Sequence, residues 1–299
     1  MDKSNYEILQ SQHHLLTQIP SYECLNGTKA ASMVISAPHG GFSYPRDLYQ
    51  LDEDTLRRFR SLEDIGTSLI ARQMHQGKYP VLIAPLARGV LDLNRPANAL
   101  DPLLFDTPLP DLPLSKEYKP YVTAGYGVIP RLSGAHEDLH KAPLSLARTR
   151  DLITSHYHPY HQKLTHLLDA CRPVALLVDI HSMPDKSTSK PLADFVFGDD
   201  FGVTLPYEIR PEIDHFMTQS GHSFGWNYPY AGGYITRHYG GKDSPYFSLQ
   251  IEINRKLYSR ANGRIDKQAI TQIATLLSQL LSQIAPALSR LGTANHAAE

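Results

Sequence analysis

Four short polar motifs contain the residues of this chain that could carry out chemistry. They are SAPHGG (Ser36 to Gly41), LDLNRP (Leu91 to Pro96), VDIHSMP (Val178 to Pro184) and QIEINR (Gln250 to Arg255). Each motif lies at the end of an apolar run that is typical of a buried strand. Open α/β sheets bind ligands beyond the carboxyl ends of their strands. Histidines, a glutamate and arginines gathered at such an edge predict a metal-dependent hydrolase.

His39 and His181 are the first candidates for metal ligands. Each lies at the end of a predicted strand, which fixes its backbone and limits its rotamers. A catalytic zinc ion commonly takes three protein ligands and leaves one position open, and imidazole and carboxylate are suitable donors. The helix-borne HExxH motif does not occur in the sequence. The third ligand must therefore come from another segment.

Glu63 and Asp64 are adjacent carboxylates that could supply this third ligand. They lie in a stretch from Asp52 to about Met74 whose apolar residues recur at helical spacing, which predicts the first helix. Neighbouring positions on a helix point about 100° apart, so at most one of the two faces the site. The alternative for the pair is a solvated helix face.

Glu252 is the candidate for proton transfer. It emerges from an apolar strand, where burial would raise its pKa and suit it to act as a general base. Its alternative role is a buried ion pair with Arg255. Arg95 and Arg255 can each bind a carboxylate in bidentate fashion or stabilise an oxyanion, and Arg131 is a weaker candidate of the same kind. The alternative for Arg95 is a structural salt bridge with Asp92.

The segment Asn227 to Gly240 (NYPYAGGYITRHYG) is rich in glycine and tyrosine. Glycines allow a loop to approach a ligand closely, so Tyr234 and Thr236 are predicted to line a pocket. The alternative is a well-packed aromatic turn. A serine nucleophile is not predicted, because no GxSxG elbow occurs in the sequence.

Composition limits the classes of protein that this chain can belong to. Of 299 residues, 41% are hydrophobic and 20% are charged, as in ordinary globular proteins, and the net charge of −1 gives no electrostatic case for nucleic acid or a membrane surface. Cys24 and Cys171 lie far apart in sequence, which favours a reducing, cytoplasmic location over a disulfide framework. No apolar run approaches the roughly 18 residues of a membrane-spanning helix. The sequence makes no prediction of oligomeric state.

Strands that alternate with helices predict one three-layer α/β domain over residues 1–299. The motif-bearing core covers about residues 31–260. A final amphipathic helix is predicted at about residues 266–289. The stretch from 97 to 135 has little periodicity, and long irregular stretches are often functional loops.

Nine segments together resemble the N-formylglutamate amidohydrolase family, in the family's order from about residue 33 to 260. They are SAPHGG, Glu63 to Gly66, DLNRP, GVIPR, Tyr157 to His161, VDIHSMP, DFVFGD, NYPYAGGYITRHYG and QIEINRKLY. That family is similar in fold and site design to zinc carboxypeptidases and to deacylases of N-acyl amino acids. The resemblance implies a phosphorylase/hydrolase-like (zinc-exopeptidase-like) α/β/α sandwich with a mixed sheet.

The resemblance also implies roles for residues of the motifs. His39 and His181 would bind one zinc ion per chain, and Glu252 would be the general base. Asn94 and Arg95 would hold a carboxylate of the substrate.

The third zinc ligand departs from the carboxypeptidase-type pattern. That pattern has a glutamate three residues after the first histidine, where this chain has Phe42. Asp64 is predicted to be the ligand instead, because it matches the family's Asp-Ile-Gly segment. Glu63 is the alternative, since a shift of one residue in the alignment exchanges them.

The predicted function is a metal-dependent amidohydrolase, a deacylase whose substrate is an acidic or small N-acylamino acid, with N-formyl-L-glutamate the leading candidate. An alternative enzyme is a carboxypeptidase-like amidase that acts on peptides or cell-wall fragments, with an open cleft lined by residues 97–135. A third possibility is a non-catalytic relative that binds a ligand. The combination of His39, His181 and Glu252 favours an enzyme, because a binding protein needs no base beside a metal.

Overall fold

A seven-stranded mixed sheet lies at the centre of the protein. The computed structural model describes residues 6–8, 12–28, 31–49, 52–111, 113–171, 174–187, 190–260 and 264–296. The strands within these ranges are β1 (Tyr6–Ile8), β2 (Gln12–His14), β3 (Glu23–Leu25), β4 (Met33–Ala37), β5 (Ser43–Pro45), β6 (Val81–Ile83), β7 (Leu176–Met183), β8 (Lys186–Ser187), β9 (Lys190–Pro191), β10 (Phe195–Gly198), β11 (Phe224–Trp226), β12 (Phe247–Asn254) and β13 (Arg264–Asp266).

Helices connect and cover these strands. The α-helices of the described ranges are α1 (Glu53–Arg60), α2 (Thr67–His75), α3 (Lys119–Thr123), α4 (Leu146–Leu152), α5 (His158–Ala170), α6 (Arg210–Ser220), α7 (Tyr234–Gly240) and α8 (Lys267–His296). A π-helical turn, Ile153–Tyr157, joins α4 to α5. The helix α8 corresponds to the predicted final helix and extends beyond the predicted end.

The strand order of the large sheet is β11-β10-β12-β7-β4-β6-β3. Strands β12, β7, β4 and β6 run parallel to one another. Strands β10 and β3 run antiparallel to their inner neighbours, and β11 is parallel to β10. The carboxyl ends of the four central strands therefore meet at one edge, where the polar motifs lie.

Alternate residues of the central strands pack against two separate layers of helices. In β4, Met33 and Ile35 belong to the core shared with α2, α6 and α8, whereas Val34 belongs to the core shared with α5 and α7. A strand that is apolar on both faces must be covered on both. The three-layer α/β/α sandwich with a mixed sheet is therefore confirmed.

The prediction of one helix from Asp52 to Met74 is wrong. Asp52 caps α1, which ends at Arg60, and α2 begins only at Thr67. Gly66, just before α2, has φ of 90°. This left-handed conformation interrupts a right-handed helix, so Asp64 lies in a connecting segment rather than on a helix face.

Within the described ranges, no helix combines the length and the apolar character needed to cross a membrane.

We expect Gly66→Ala to lower the free energy of unfolding by roughly 3 kcal/mol, because it adds left-handed strain and a collision with a packed ring. A Cβ at position 66 would lie 2.7 Å from Cε2 of Tyr258. Gly77→Ala is the matched control, since Gly77 has φ of 71° and no atom within 4 Å of the added Cβ. Urea denaturation followed by circular dichroism measures both. Equal losses would show that the contact with Tyr258 is unimportant.

Candidate active site

Two histidines and one aspartate converge at the carboxyl edge of the central strands. His39 follows β4, His181 lies within β7, and Asp64 lies between α1 and α2. Nδ1 of His39 is 3.3 Å, and Nδ1 of His181 is 2.9 Å, from Oδ2 of Asp64. All three residues are buried, and their donor atoms lie within 4.8 Å of one another.

This geometry fits a tetrahedral cation such as zinc. Two ligand atoms at about 2 Å from a tetrahedral ion are roughly 3.3 Å apart. The far nitrogens of both rings are bound by carboxylates: Nε2 of His39 is 2.7 Å from Asp92, and Nε2 of His181 is 2.8 Å from Asp179. Because a carboxylate accepts the Nε2 hydrogen, the Nδ1 lone pair of each neutral ring is available to a metal.

Asp92 is held in its charged form. Arg88 Nε lies 3.1 Å from its Oδ2, and the backbone amide of Asn94 donates to its Oδ1 at 2.9 Å. Burial opposes the negative charge, but Arg88 and His39 outweigh it, and the pKa of Asp92 lies well below its usual range. The ion pair of Asp92 is with Arg88, so the structure does not form the alternative salt bridge to Arg95.

Asp179 accepts the Nε2 hydrogen of His181, as Asp92 does for His39. It is fully buried and also accepts a hydrogen bond from Ser36 Oγ at 2.9 Å. Burial opposes a charge on His181, but Asp179 and Asp64 outweigh this and raise the pKa of His181 well above its usual value. A cation at Nδ1 would take the place of a proton there, so metal binding and protonation compete.

Glu63 points to partners other than the cluster. Its carboxylate accepts a hydrogen bond from the hydroxyl of Tyr44 and lies 3.6 Å from Nε of Arg60. The three-residue cluster contains Asp64 and not Glu63. The geometry therefore favours Asp64 as the third donor.

Glu252 lies beside the cluster, because β12 pairs with β7 in a register that sets Glu252 opposite His181. Burial raises the pKa of Glu252 to about 7, with His181 acting to lower it and Asp64 to raise it. Its Oε1 accepts a hydrogen bond from Gln250 at 3.0 Å. The alternative ion pair between Glu252 and Arg255 is not formed. Arg255 instead donates to Ser182 Oγ at 2.9 Å and to Asp64 at 3.3 Å.

A cavity of about 370 Å³ opens above these side chains. The predicted site residues that line it are His39, Asp64, Asn94, Arg95, His181, Glu252 and Arg255. Other lining residues with polar side chains are Ser61, Arg88, Tyr121, Ser182, Tyr230, Arg237 and Gln250.

Arg95 presents a guanidinium without a carboxylate partner among the residues that the structure describes. It donates to the carbonyl oxygens of Tyr126 and Asn94 at 3.0 and 2.9 Å, and its Cζ lies 4.4 Å from the ring centroid of Tyr121. A half-buried cation in this state is available to an anionic ligand.

Asn94 connects the glycine-rich loop to the site. Its Oδ1 accepts a hydrogen bond from the backbone amide of Ile235 at 2.7 Å, and its Nδ2 lies 3.2 Å from Nε2 of His181. Gly233 packs so closely on the Asn94 amide that a Cβ would collide with it. The loop therefore reaches the cavity because glycine occupies this position.

Three other predicted substrate-binding residues lie outside the cavity lining and have partners of their own. Arg131 donates to Asp101 at 2.7 Å. Thr236 is fully buried and donates to Gln250 at 3.4 Å. Tyr234 packs on the ring of His238 with centroids 5.0 Å apart. Contact of these residues with substrate stays a prediction that the geometry does not support.

Asp179 and Gln250 could have been found from the sequence. Each lies two residues before a predicted site residue on the same strand, His181 and Glu252 respectively. Residues two apart on a strand share a face. A polar residue at that spacing within an apolar strand indicates a partner of the site residue.

The fold and this site define an α/β/α sandwich protein with a buried cluster of two imidazoles and a carboxylate, a donor set suited to a metal-dependent hydrolase. The sequence profile described as N-formylglutamate amidohydrolase matches residues 31–259, and the chain belongs to this family. It is an amidohydrolase of that family, as its similarity to named relatives also supports.

Named relatives match most of the chain. An N-formylglutamate deformylase of Pseudomonas putida is 28% identical over 278 residues, which cover 84% of this chain and 91% of the relative. One from Pseudomonas aeruginosa is 26% identical over 248 residues, with coverage of 76% and 81%. The crystal structure of N-formylglutamate amidohydrolase from Ralstonia eutropha JMP134 has a TM-score of 0.79 at 26% identity and covers 90% of this chain and 98% of that one.

The purified protein is expected to contain about one equivalent of zinc, which His39→Ala, His181→Ala and Asp64→Ala should each abolish because a three-donor site loses a ligand. Glu63→Gln is the matched control and should retain the metal, since its neighbour Asp64 is untouched. Inductively coupled plasma mass spectrometry measures the content. Metal lost with Glu63→Gln and kept with Asp64→Ala would reverse the assignment of the carboxylate donor.

Asp179→Asn should weaken zinc binding by about 10- to 100-fold, because the residue that orients and polarises His181 loses its charge. Competition with a chelator gives the dissociation constant. Asp101→Asn removes another buried carboxylate, which pairs with Arg131 away from the cavity, and should leave the constant unchanged. Equal constants for all three proteins would mean that Asp179 has only a structural role.

Proposed function

We propose that the protein is a metal-dependent deacylase that hydrolyses the N-acyl bond of an acidic N-acylamino acid, with N-formyl-L-glutamate as the leading substrate. The observation that carries this proposal is that Glu252 shares one cavity with His39, Asp64 and His181. A ligand-binding protein has no need of a buried base beside a set of metal donors.

Zinc is the proposed cofactor, held by His39, Asp64 and His181. Two imidazoles and one carboxylate are a donor set that catalytic zinc sites use. When bound, zinc polarises a carbonyl group and lowers the pKa of water. Asp92 and Asp179 keep the two imidazoles oriented, and Arg255 holds the second oxygen of Asp64.

Glu252 carries the proton in this reaction. As a carboxylate it accepts a proton from the water that attacks the acyl carbon. It then donates that proton to the nitrogen as the carbon–nitrogen bond breaks, which for an N-formyl substrate releases formate and the free amino acid. A pKa near 7 suits a group that must both accept and donate a proton at neutral pH.

Arg95 is the proposed partner of the substrate α-carboxylate, because its guanidinium lines the cavity and no described carboxylate pairs with it.

The size of the cavity, about 370 Å³, favours a small molecule. The alternative amidase would need a cleft lined by residues 97–135. Of that stretch, Tyr121 is the one described residue that lines the cavity.

Glu252→Gln is expected to lower kcat by about 100- to 10,000-fold, because the amide cannot accept the proton of the attacking water. Zinc content should be unchanged, since Glu252 is not among the three metal donors. Formate released from N-formyl-L-glutamate, measured by coupled formate dehydrogenase, gives the rate. Glu212→Gln, on the surface helix α6, is the control.

One result would contradict the proposed role of Glu252, and another would contradict the proposed function itself. Undiminished turnover by Glu252→Gln would show that another group moves the proton. Failure of the zinc-loaded wild-type protein to hydrolyse N-formyl-L-glutamate, N-formyl-L-glutamine and N-formyl-L-methionine would exclude the deformylase function.

A further inference from the structure

A turn of unusual conformation follows strand β10. Asp200 and Phe201 have φ of 48° and 58°, and Gly202 has φ of 87°. Consecutive non-glycine residues in the left-handed region are rare, because Cβ approaches the backbone there. The side chain of Phe201 is 74% exposed, so the burial of this ring does not explain the turn. Strained backbone that the surroundings hold in place is concentrated at ligand sites.

Hydrogen bonds from a second loop hold this turn. Asn227 Oδ1 accepts from the backbone amides of Asp199 and Phe201 at 3.0 and 3.3 Å, and Asn227 Nδ2 donates to Asp199 Oδ1 at 2.7 Å. The amide of Asp200 donates to the carbonyl oxygen of Ala231 at 2.7 Å. Ala231 itself lines the cavity, so the turn is attached directly to the cavity wall.

The turn places the carboxylate of Asp200 against Arg237. Nε of Arg237 donates to Asp200 Oδ1 at 3.0 Å, and Arg237 lines the cavity. A guanidinium has five hydrogens to donate, and this bond uses one of them. Asp200 thus fixes the position of the guanidinium while its two Nη groups remain able to bind an anion.

Arg237 differs from two other arginines of the cavity in the carboxylate with which it pairs. Arg88 pairs with Asp92 and Arg255 pairs with Asp64, so both hold carboxylates of the candidate metal site. Arg95 and Arg237 contact no carboxylate of that site. Burial opposes the charge of each of these two, and Tyr118 and Tyr121 are near enough to influence the pKa of both. Both arginines line the cavity, as does Tyr121.

We propose that Arg237, positioned by Asp200, binds the side-chain carboxylate of the substrate and so determines the preference for a dicarboxylic N-acylamino acid. This inference rests on the proposed function, in which Arg95 binds the α-carboxylate. An N-acylglutamate carries two carboxylates, and the cavity offers two guanidiniums that the metal site does not use. A carboxamide of the same shape lacks the charge that makes such hydrogen bonds strong.

The test compares N-formyl-L-glutamate with N-formyl-L-glutamine, which differ only in a side-chain carboxylate or carboxamide. The protein with Arg237 is expected to show a kcat/KM about 10- to 100-fold higher for the glutamate. Arg237→Gln should bring this ratio near unity by slowing the glutamate substrate alone. Arg237→Lys should retain part of the preference, because it keeps the charge and loses the planar fork. Asp200→Asn should lower the ratio less than Arg237→Gln.

A binding measurement separates this inference from the proposed function. In the zinc-loaded Glu252→Gln protein, with and without Arg237→Gln, calorimetry gives the dissociation constants of both compounds without turnover. Arg72→Gln is the matched control, since Arg72 also pairs with one carboxylate, Glu23, and lies outside this cavity. Circular dichroism and zinc content establish that each variant is folded and loaded.

The outcomes are distinct. A ratio that Arg237→Gln leaves unchanged, or equal losses for both compounds, would overturn the inference, since a structural role weakens both alike. Hydrolysis by the wild type with no preference for the glutamate would overturn it as well. If the wild type hydrolyses neither compound, the proposed function fails, and the calorimetric ratio still decides whether Arg237 recognises the carboxylate.

Discussion

The approach of two imidazole nitrogens to one oxygen of Asp64 is the interaction on which the site depends. His39 and His181 come from strands β4 and β7, which are parallel neighbours in the sheet. Asp64 reaches them from outside the sheet, because Gly66 ends the connection between α1 and α2 in a left-handed conformation. Two lone pairs and a negative charge that face one another in a buried place favour a cation between them.

Each of the buried carboxylates Asp64, Asp92 and Asp179 has a histidine or an arginine as its partner. Asp92 and Asp179 each bind the far nitrogen of one imidazole, and Arg88 and Arg255 supply positive charge to Asp92 and Asp64. A buried carboxylate without such partners would lose its charge or destabilise the fold. The network also fixes ring orientation, so the same contacts that permit burial prepare the donors for a metal. The positive groups near Glu252 do not fully offset the cost of burying its negative charge, and burial raises its pKa to about 7.

Local patterns in the sequence were sufficient for the architecture and for part of the site. Apolar runs that alternate with helical periodicity predict the three-layer sandwich, and His39, His181 and Glu252 are candidate site residues because each lies at the end of such a run. Parallel strands of an α/β sheet place their carboxyl ends together, so this position alone implies proximity. The preference for Asp64 over Glu63 rests on family resemblance, because helical periodicity places both residues on a helix, whereas they lie between α1 and α2.

The tertiary structure alone decided which side chains pair. Asp92 precedes Arg95 by three residues, yet its side-chain partners are Arg88 and His39. Arg131, Tyr234 and Thr236 lie in suggestive motifs, but none of them lines the cavity, and each has a partner within the protein. Sequence determines periodicity and therefore the face of a strand or helix, since these depend on neighbours along the chain. Loop conformation and the choice among nearby charges depend on contacts between distant segments, which no local pattern contains.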